Sequence, residues 1–147
     1  MGLVKVPNNA KEKFKNNFSK IIDNGELAEG AWNDAFSDFV INYTKAASAI
    51  PVSSNGAGLL AVLIALRDMY DKKTIFIQSN TMYGVKTLAV SSGLKYLGAV
   101  DCSIDSLMPS TEQVKNFISN IELPHQSVFM LSHIGGNVNP DILEIMD

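Results

Sequence analysis

The residues Ser53-Ser54-Asn55-Gly56-Ala57-Gly58 are small or polar, and they lead into a long apolar run that begins at Leu59. Small side chains at the start of a helix let an anion reach the backbone. The first-turn N–H groups there have no intrahelical acceptor, and the helix dipole favours negative charge. The stretch is therefore built like a phosphate cradle. A structural alternative stands beside it: a tight strand-to-helix turn that uses Gly56 and Gly58 for backbone freedom. Gly56, Gly58 and Ala61 also fall on the three small positions of a dinucleotide-binding turn. That reading needs an acidic residue about twenty positions later, at the end of the next strand, to hold a ribose diol. The sequence there is Gln78-Ser79-Asn80, with no carboxylate.

A second set of candidate residues follows that strand. In Gln78-Ser79-Asn80-Thr81-Met82-Tyr83, the ring of Tyr83 can stack on a planar ligand. Its alternative is a half-buried aromatic at a helix start. His133 precedes Gly135-Gly136 and falls on the same edge, where a hydrogen-bonded structural histidine is the commoner outcome. Cys102, His125 and His133 do not have the spacing of metal ligands. No nucleophile elbow or P-loop pattern occurs, so no catalytic and no metal-binding residue is assigned.

The elements that must position these residues follow from periodicity. Phe14, Phe18, Ile21 and Ile22 share one helical face, and Asn24-Gly25 ends that helix. Trp32, Phe36, Phe39, Val40 and Tyr43 repeat the spacing in a second helix, an aromatic stripe expected to be core. Residues 49–53 read as a strand weakened by Pro51. Residues 55–58 read as a turn, and 59–70 as a helix apolar on most faces and hence deeply buried. Strands are expected at Thr74–Gln78, Lys95–Val100 and 127–131, and helices at 83–92 and 111–121, the latter opened by a capping box of Ser110 and Gln113. Asn139 and Pro140 suit the N-cap and first turn of a last helix, with Asp141 and Glu144 at the positive end of its dipole. That helix is barely two turns old at Asp147, which suggests a longer ancestral domain, a missing partner chain or a frayed terminus. Strand and helix alternate, so the fold class is α/β: a mostly parallel sheet covered by helices. We expect one domain over 1–147, with helices in 1–45 and an α/β portion in 46–147.

Composition narrows the function classes. Of 147 residues, 46% are hydrophobic and 18% charged, as in globular domains and unlike disordered chains. A net charge of -3 leaves no electrostatic footprint for nucleic acid, and no stretch is long and apolar enough to span a bilayer. The N-terminus has no signal-peptide layout, and Val6 fails the Ser/Thr requirement for myristoylation at Gly2. The single cysteine, Cys102, excludes a disulfide framework within the chain and points to a reducing, cytoplasmic compartment.

Four stretches together resemble the DegT/DnrJ/EryC1/StrS family of pyridoxal-phosphate-dependent sugar aminotransferases. Gly25-Glu26-Leu27-Ala28-Glu29-Gly30, followed by the Trp32 to Tyr43 helix, resembles the family's opening loop and first domain helix. Val52 to Leu60 resembles its SNGTAAL phosphate loop. Ile75 to Tyr83, then Gly93 and Leu97 to Asp101, resembles its next strand–helix–strand run. Val128 to Gly135 with Ile145 resembles the run after that. The resemblance implies the three-layer αβα fold of the type I large domain, in part. It also implies pyridoxal phosphate as cofactor, with Gly56 at the bend, the Ala57 and Gly58 backbone amides holding its phosphate, and Tyr83 stacking on its ring. Ala57 stands where the family has Thr, and one extra residue lies between Thr81 and Gly93.

In the family, the aspartate that pairs with the pyridine nitrogen and the lysine that forms the Schiff base would lie beyond Asp147. Lys86 and Lys95 read as surface charges. The resemblance therefore implies a truncated or split homologue of a nucleotide-sugar aminotransferase, inactive alone, in a homo-oligomer such as a dimer or with a partner chain carrying the C-terminal part. In that topology the strand at 49–53 would lack its neighbours, so the sheet would have to rearrange or pair between copies. Two alternatives stand beside this reading: a nucleotide or dinucleotide-binding module built on Gly56-Ala57-Gly58, and a non-catalytic interaction remnant.

Overall fold

The computed structural model describes residues 5–147; the leader and myristoylation readings rest partly on residues 1–4, which lie outside the described residues. The chain divides into two compact units, one running to Pro51 and one from Val52 to Asp147.

The first unit holds α1 (Asn8–Asn24) and α2 (Ala31–Thr44). Gly25 adopts the left-handed conformation at φ 70° and its N–H donates to the carbonyl of Ile22, which ends α1 at the expected signal. Phe14 and Phe18 lie with ring centroids 5.4 Å apart, and Phe39 and Tyr43 stack at 6.3 Å, so each aromatic stripe does occupy one helical face. The stripe is not core, however. Neither helix buries any residue, and Phe36 and Phe39 are exposed. Two helices joined by a short loop have no third element within their unit to close over both apolar faces.

Residues 49–53 form no strand, contrary to the sequence expectation. A strand exists only by pairing, and Pro51 offers no N–H to a ladder. Ile50 is left exposed.

The second unit contains α3 (Asn55–Met69), β1 (Thr74–Gln78), α4 (Tyr83–Ser91), β2 (Lys95–Val100), α5 (Thr111–Ile118), β3 (Ser127–Met130) and α6 (Ile142–Met146). The turn expected at 55–58 is instead the first turn of α3. The sheet is parallel, in the order β2-β1-β3. The three strands expected after residue 70 form this one sheet, and the run at 49–53 adds no strand to it.

β1 is buried on both faces and reads as a continuous apolar run, as a central parallel strand must. Ile75 and Ile77 face one layer, where they meet Leu63 of α3 and Ala89 of α4. Phe76 faces the other, where it meets Val100, Val114 of α5, Phe117 and Phe129, with Ile145 of α6 at the margin. The architecture is therefore αβα, with α3 and α4 on one side and α5 and α6 on the other. The β1–β2 register shifts after Ile75: Leu97 is skipped and Gly98, at φ 131°, takes a conformation open to little but glycine.

α3 is less buried than its composition suggested. Only Leu63 is buried, and Val62 and Met69 are exposed. Helix hydrophobicity reports a demand for cover; among the described residues, cover is supplied only on the side facing the sheet and α4.

Candidate functional site

α3 runs antiparallel to β1, so its first turn returns to the carboxyl edge of the sheet. α4 starts from that edge too. The connection leaving β1 enters the α3/α4 layer, and the one leaving β3 leads to α6 in the opposite layer. Such a divergence at the carboxyl ends of neighbouring strands is the place where open α/β sheets accept ligands.

The first turn of α3 is capped by Ser54, whose Oγ accepts the Ala57 N–H at 3.2 Å, while the Gly58 N–H donates to the Ser54 carbonyl at 3.1 Å. Among the described residues, the N–H groups of Asn55 and Gly56 have no intramolecular acceptor. The free donors thus sit just before Ala57 and Gly58, and freeing the Ala57 amide requires only rotation of the Ser54 hydroxyl. Neither Gly56 nor Gly58 has a positive φ, so the need for glycine is not conformational. A Cβ on Gly56 would meet the Leu88 methyls at 3.9 Å, and one on Gly58 would press Val52 at 3.2 Å. The small residues let α3 lie close to α4 at this end and leave its opening turn bare.

Tyr83 is the first residue of α4 and is 84% exposed, a free aromatic face on the same edge as Gly56. The Leu88 methyls lie beside Gly56, so the first turn of α3 packs against the second half of α4. At the far end of the pair, Arg67 Nη1 donates to the Ser92 carbonyl at 2.6 Å and ties α3 to the end of α4. The same guanidinium hydrogen-bonds Asp68 and holds its carboxyl below the usual range; both groups are exposed, so water screens the effect.

The carboxyl ends of β1 and β3 carry polar groups. Gln78 is fully buried: its Nε2 donates to the Asn80 carbonyl at 2.7 Å and its Oε1 accepts the Ser132 N–H at 2.9 Å. The Thr81 and Ser132 hydroxyls lie 3.0 Å apart, and Asn80 Nδ2 reaches the Leu107 carbonyl at 2.8 Å. His133 follows on the same edge, exposed, with Nδ1 accepting the Asn139 N–H at 3.1 Å, which leaves the ring proton on Nε2. Sequence reasoning found the loop but not the burial of Gln78. A polar residue closing the apolar run Ile75-Phe76-Ile77 was the available signal.

Three of the five lysines of this unit are engaged elsewhere. Lys72 Nζ donates to the His125 carbonyl, Lys73 pairs with Asp71, and Lys86 Nζ sits 5.7 Å over the Tyr96 ring. Lys95 opens β2 at the amino edge, where with Lys73, Leu97 and Phe117 it lines a cleft of about 560 Å³. That cleft is at the opposite end of the strands from Gly56 and Tyr83. Among the described residues there is no His/Cys/Asp/Glu cluster able to hold a metal, and no helix is long and apolar enough to cross a membrane.

The residues fit a phosphorylated planar ring. Bare helix-start amides suit its phosphate and an open aromatic face suits the ring, and the chain places both on one edge. A family model described as the DegT/DnrJ/EryC1/StrS aminotransferase family matches residues 8–147. No curated protein matches the chain significantly.

Proposed function

Because the chain belongs to the DegT/DnrJ/EryC1/StrS aminotransferase family, we propose that it supplies the phosphate seat and ring platform of a pyridoxal-phosphate site for nucleotide-sugar amino transfer. Gly56, Ala57 and Gly58 form the seat, with the free amides of Asn55 and Gly56 and the Ser54 hydroxyl as its donors. Tyr83 is the platform. Bound there, the cofactor supplies an electron sink for amino transfer. These residues bind and orient; they do not move protons. The lysine and the carboxylate that complete such a site come from outside these 147 residues, and without them the chain is catalytically silent. The helices of 1–45 and the α/β portion of 46–147 belong to one large domain, acting in the cytoplasm in a homo-oligomer or with a complementary chain.

The observations that carry this reading are the first-turn amides of α3 without an intramolecular acceptor and the exposed Tyr83 ring that opens α4 after β1. The dinucleotide alternative is disfavoured by Gln78. It stands where a ribose-binding acid would, and both ends of its amide are spent inside the protein.

Calorimetric titration with pyridoxal phosphate, pyridoxal and inorganic phosphate tests the proposal. Pyridoxal phosphate binds tightest, and pyridoxal, lacking the phosphate, binds at least about tenfold more weakly, the worth of one or two charge-assisted hydrogen bonds. Gly56→Asp abolishes the preference by placing a carboxylate on the free amides, yet leaves the fold intact, since an acidic side chain suits a helix start and a Cβ fits there. Tyr83→Ala removes the advantage of pyridoxal phosphate over inorganic phosphate, a drop of about five- to tenfold. Equal binding of pyridoxal and its phosphate, or an unaltered Gly56→Asp variant, would refute the seat.

A further inference from the structure

We propose that Gln78 is a positioning residue: its side chain locks the loop leaving β1 to the loop leaving β3, and so holds the Tyr83 platform in place relative to the Ser132 loop. The consequence for ligand binding rests on the function proposed above; the locking does not.

Gln78 closes the central strand, and its side chain is entirely buried although the chain is leaving the sheet there. Its two partners are main-chain groups of opposite kind, the Asn80 carbonyl and the Ser132 N–H. That fixes the orientation of the amide, and a carboxamide donates to the first while accepting from the second without any change of protonation. Ser132 lies 54 residues further along the chain, so this one side chain bridges two loops that are remote in sequence. The Thr81–Ser132 hydroxyl contact repeats the bridge, and Asn80 extends it to Leu107 in the loop after β2. The three preceding residues of β1 are buried and apolar, and a fourth would have continued the run. A fourth apolar residue would leave the Ser132 N–H and the Asn80 carbonyl without these partners at the carboxyl end of the sheet. Tyr83 lies three residues beyond Asn80, at the end of the tethered loop.

Site-resolved amide hydrogen exchange on two variants tests the lock. In Gln78→Leu, protection of the Ser132 amide falls about tenfold or more relative to wild type, the size expected for one buried hydrogen bond, and residues 79–83 loosen with it. Gln78→Glu guards against a merely misfolded variant. As a carboxylate it accepts from Ser132 but opposes the Asn80 carbonyl; as a carboxylic acid it restores both bonds. Burial raises the pKa of such a group above the free value of about 4.3. The variant therefore matches wild type below the free value and loses protection as pH rises through its raised pKa. The titratable groups on the surrounding elements are Asp101, Cys102 and Asp105 after β2, Glu112 and Lys115 on α5, His133 after β3, Asp141 and Glu144 at α6, and Tyr83 and Lys86 on α4. None of them hydrogen-bonds Gln78.

Unchanged protection in Gln78→Leu, or no recovery of Gln78→Glu at low pH, overturns the lock. In binding, Gln78→Leu weakens pyridoxal phosphate while leaving inorganic phosphate unaffected; parallel loss of both, or loss of neither, overturns the positioning role. If wild type binds neither compound, the proposed function fails, and the exchange measurements still decide the lock.

Discussion

Phe76→Ala is expected to destabilise the second unit by about 3–5 kcal/mol, a large share of the roughly 5–15 kcal/mol that holds a domain of this size. Phe76 is 2% exposed and lies at the centre of the central strand. Its ring stacks against Phe129 at 4.7 Å and Phe117 at 4.9 Å, joining β3 and α5 to β1. Truncation removes both contacts and leaves a cavity that three rigid layers cannot close. Urea denaturation followed by near-ultraviolet circular dichroism reads the loss. Phe39→Ala is the control: that ring is 63% exposed, and its removal changes stability by less than about 0.5 kcal/mol. Equal losses for the two variants would show that the core has been assigned to the wrong layer.

Asn139→Ala is expected to cost about 2–3 kcal/mol through hydrogen bonds rather than volume. The side chain is buried, donates to the Pro109 carbonyl at 2.9 Å and accepts the Asp141 N–H at 2.8 Å. That hold places Asp141 so that its Oδ2 accepts the Thr111 N–H at 3.0 Å at the start of α5. Removing the amide leaves a buried carbonyl unpaired and releases an acidic group from the α5 terminus. Asn139→Asp does not rescue, because a carboxylate cannot donate to Pro109. Denaturation midpoints for the two variants, both lowered, check this; recovery by Asp would contradict it.

What the sequence made legible was local. β1 and β2 fall on their expected residues, and β3, α4 and α5 lie within theirs, because periodicity and turn residues encode them over a few positions. The Ser110–Gln113 capping box closes as expected, since both partners lie within one turn. Features that depend on remote neighbours were not legible. The 49–53 run has strand composition but no strand beside it. The aromatic stripes of α1 and α2 and the apolar surface of α3 announce a need for cover without naming what supplies it. Asp141 suits the dipole of its own helix in sequence, yet in space it serves α5, thirty residues earlier. The edge carrying Gly56 and Tyr83 was legible; the amide clamp of Gln78 beneath it was not, because its partner is on another strand's loop.

The central claim is a seat for a phosphorylated ring without the amine that would anchor the ring's aldehyde. Saturating the protein with pyridoxal phosphate, reducing with borohydride and mapping the peptides by mass spectrometry tests it most directly. The account predicts saturable, phosphate-dependent binding that leaves Lys72, Lys73, Lys86, Lys95 and Lys115 without a stoichiometric pyridoxyl adduct. One of these lysines carrying a full equivalent of reduced cofactor would contradict it.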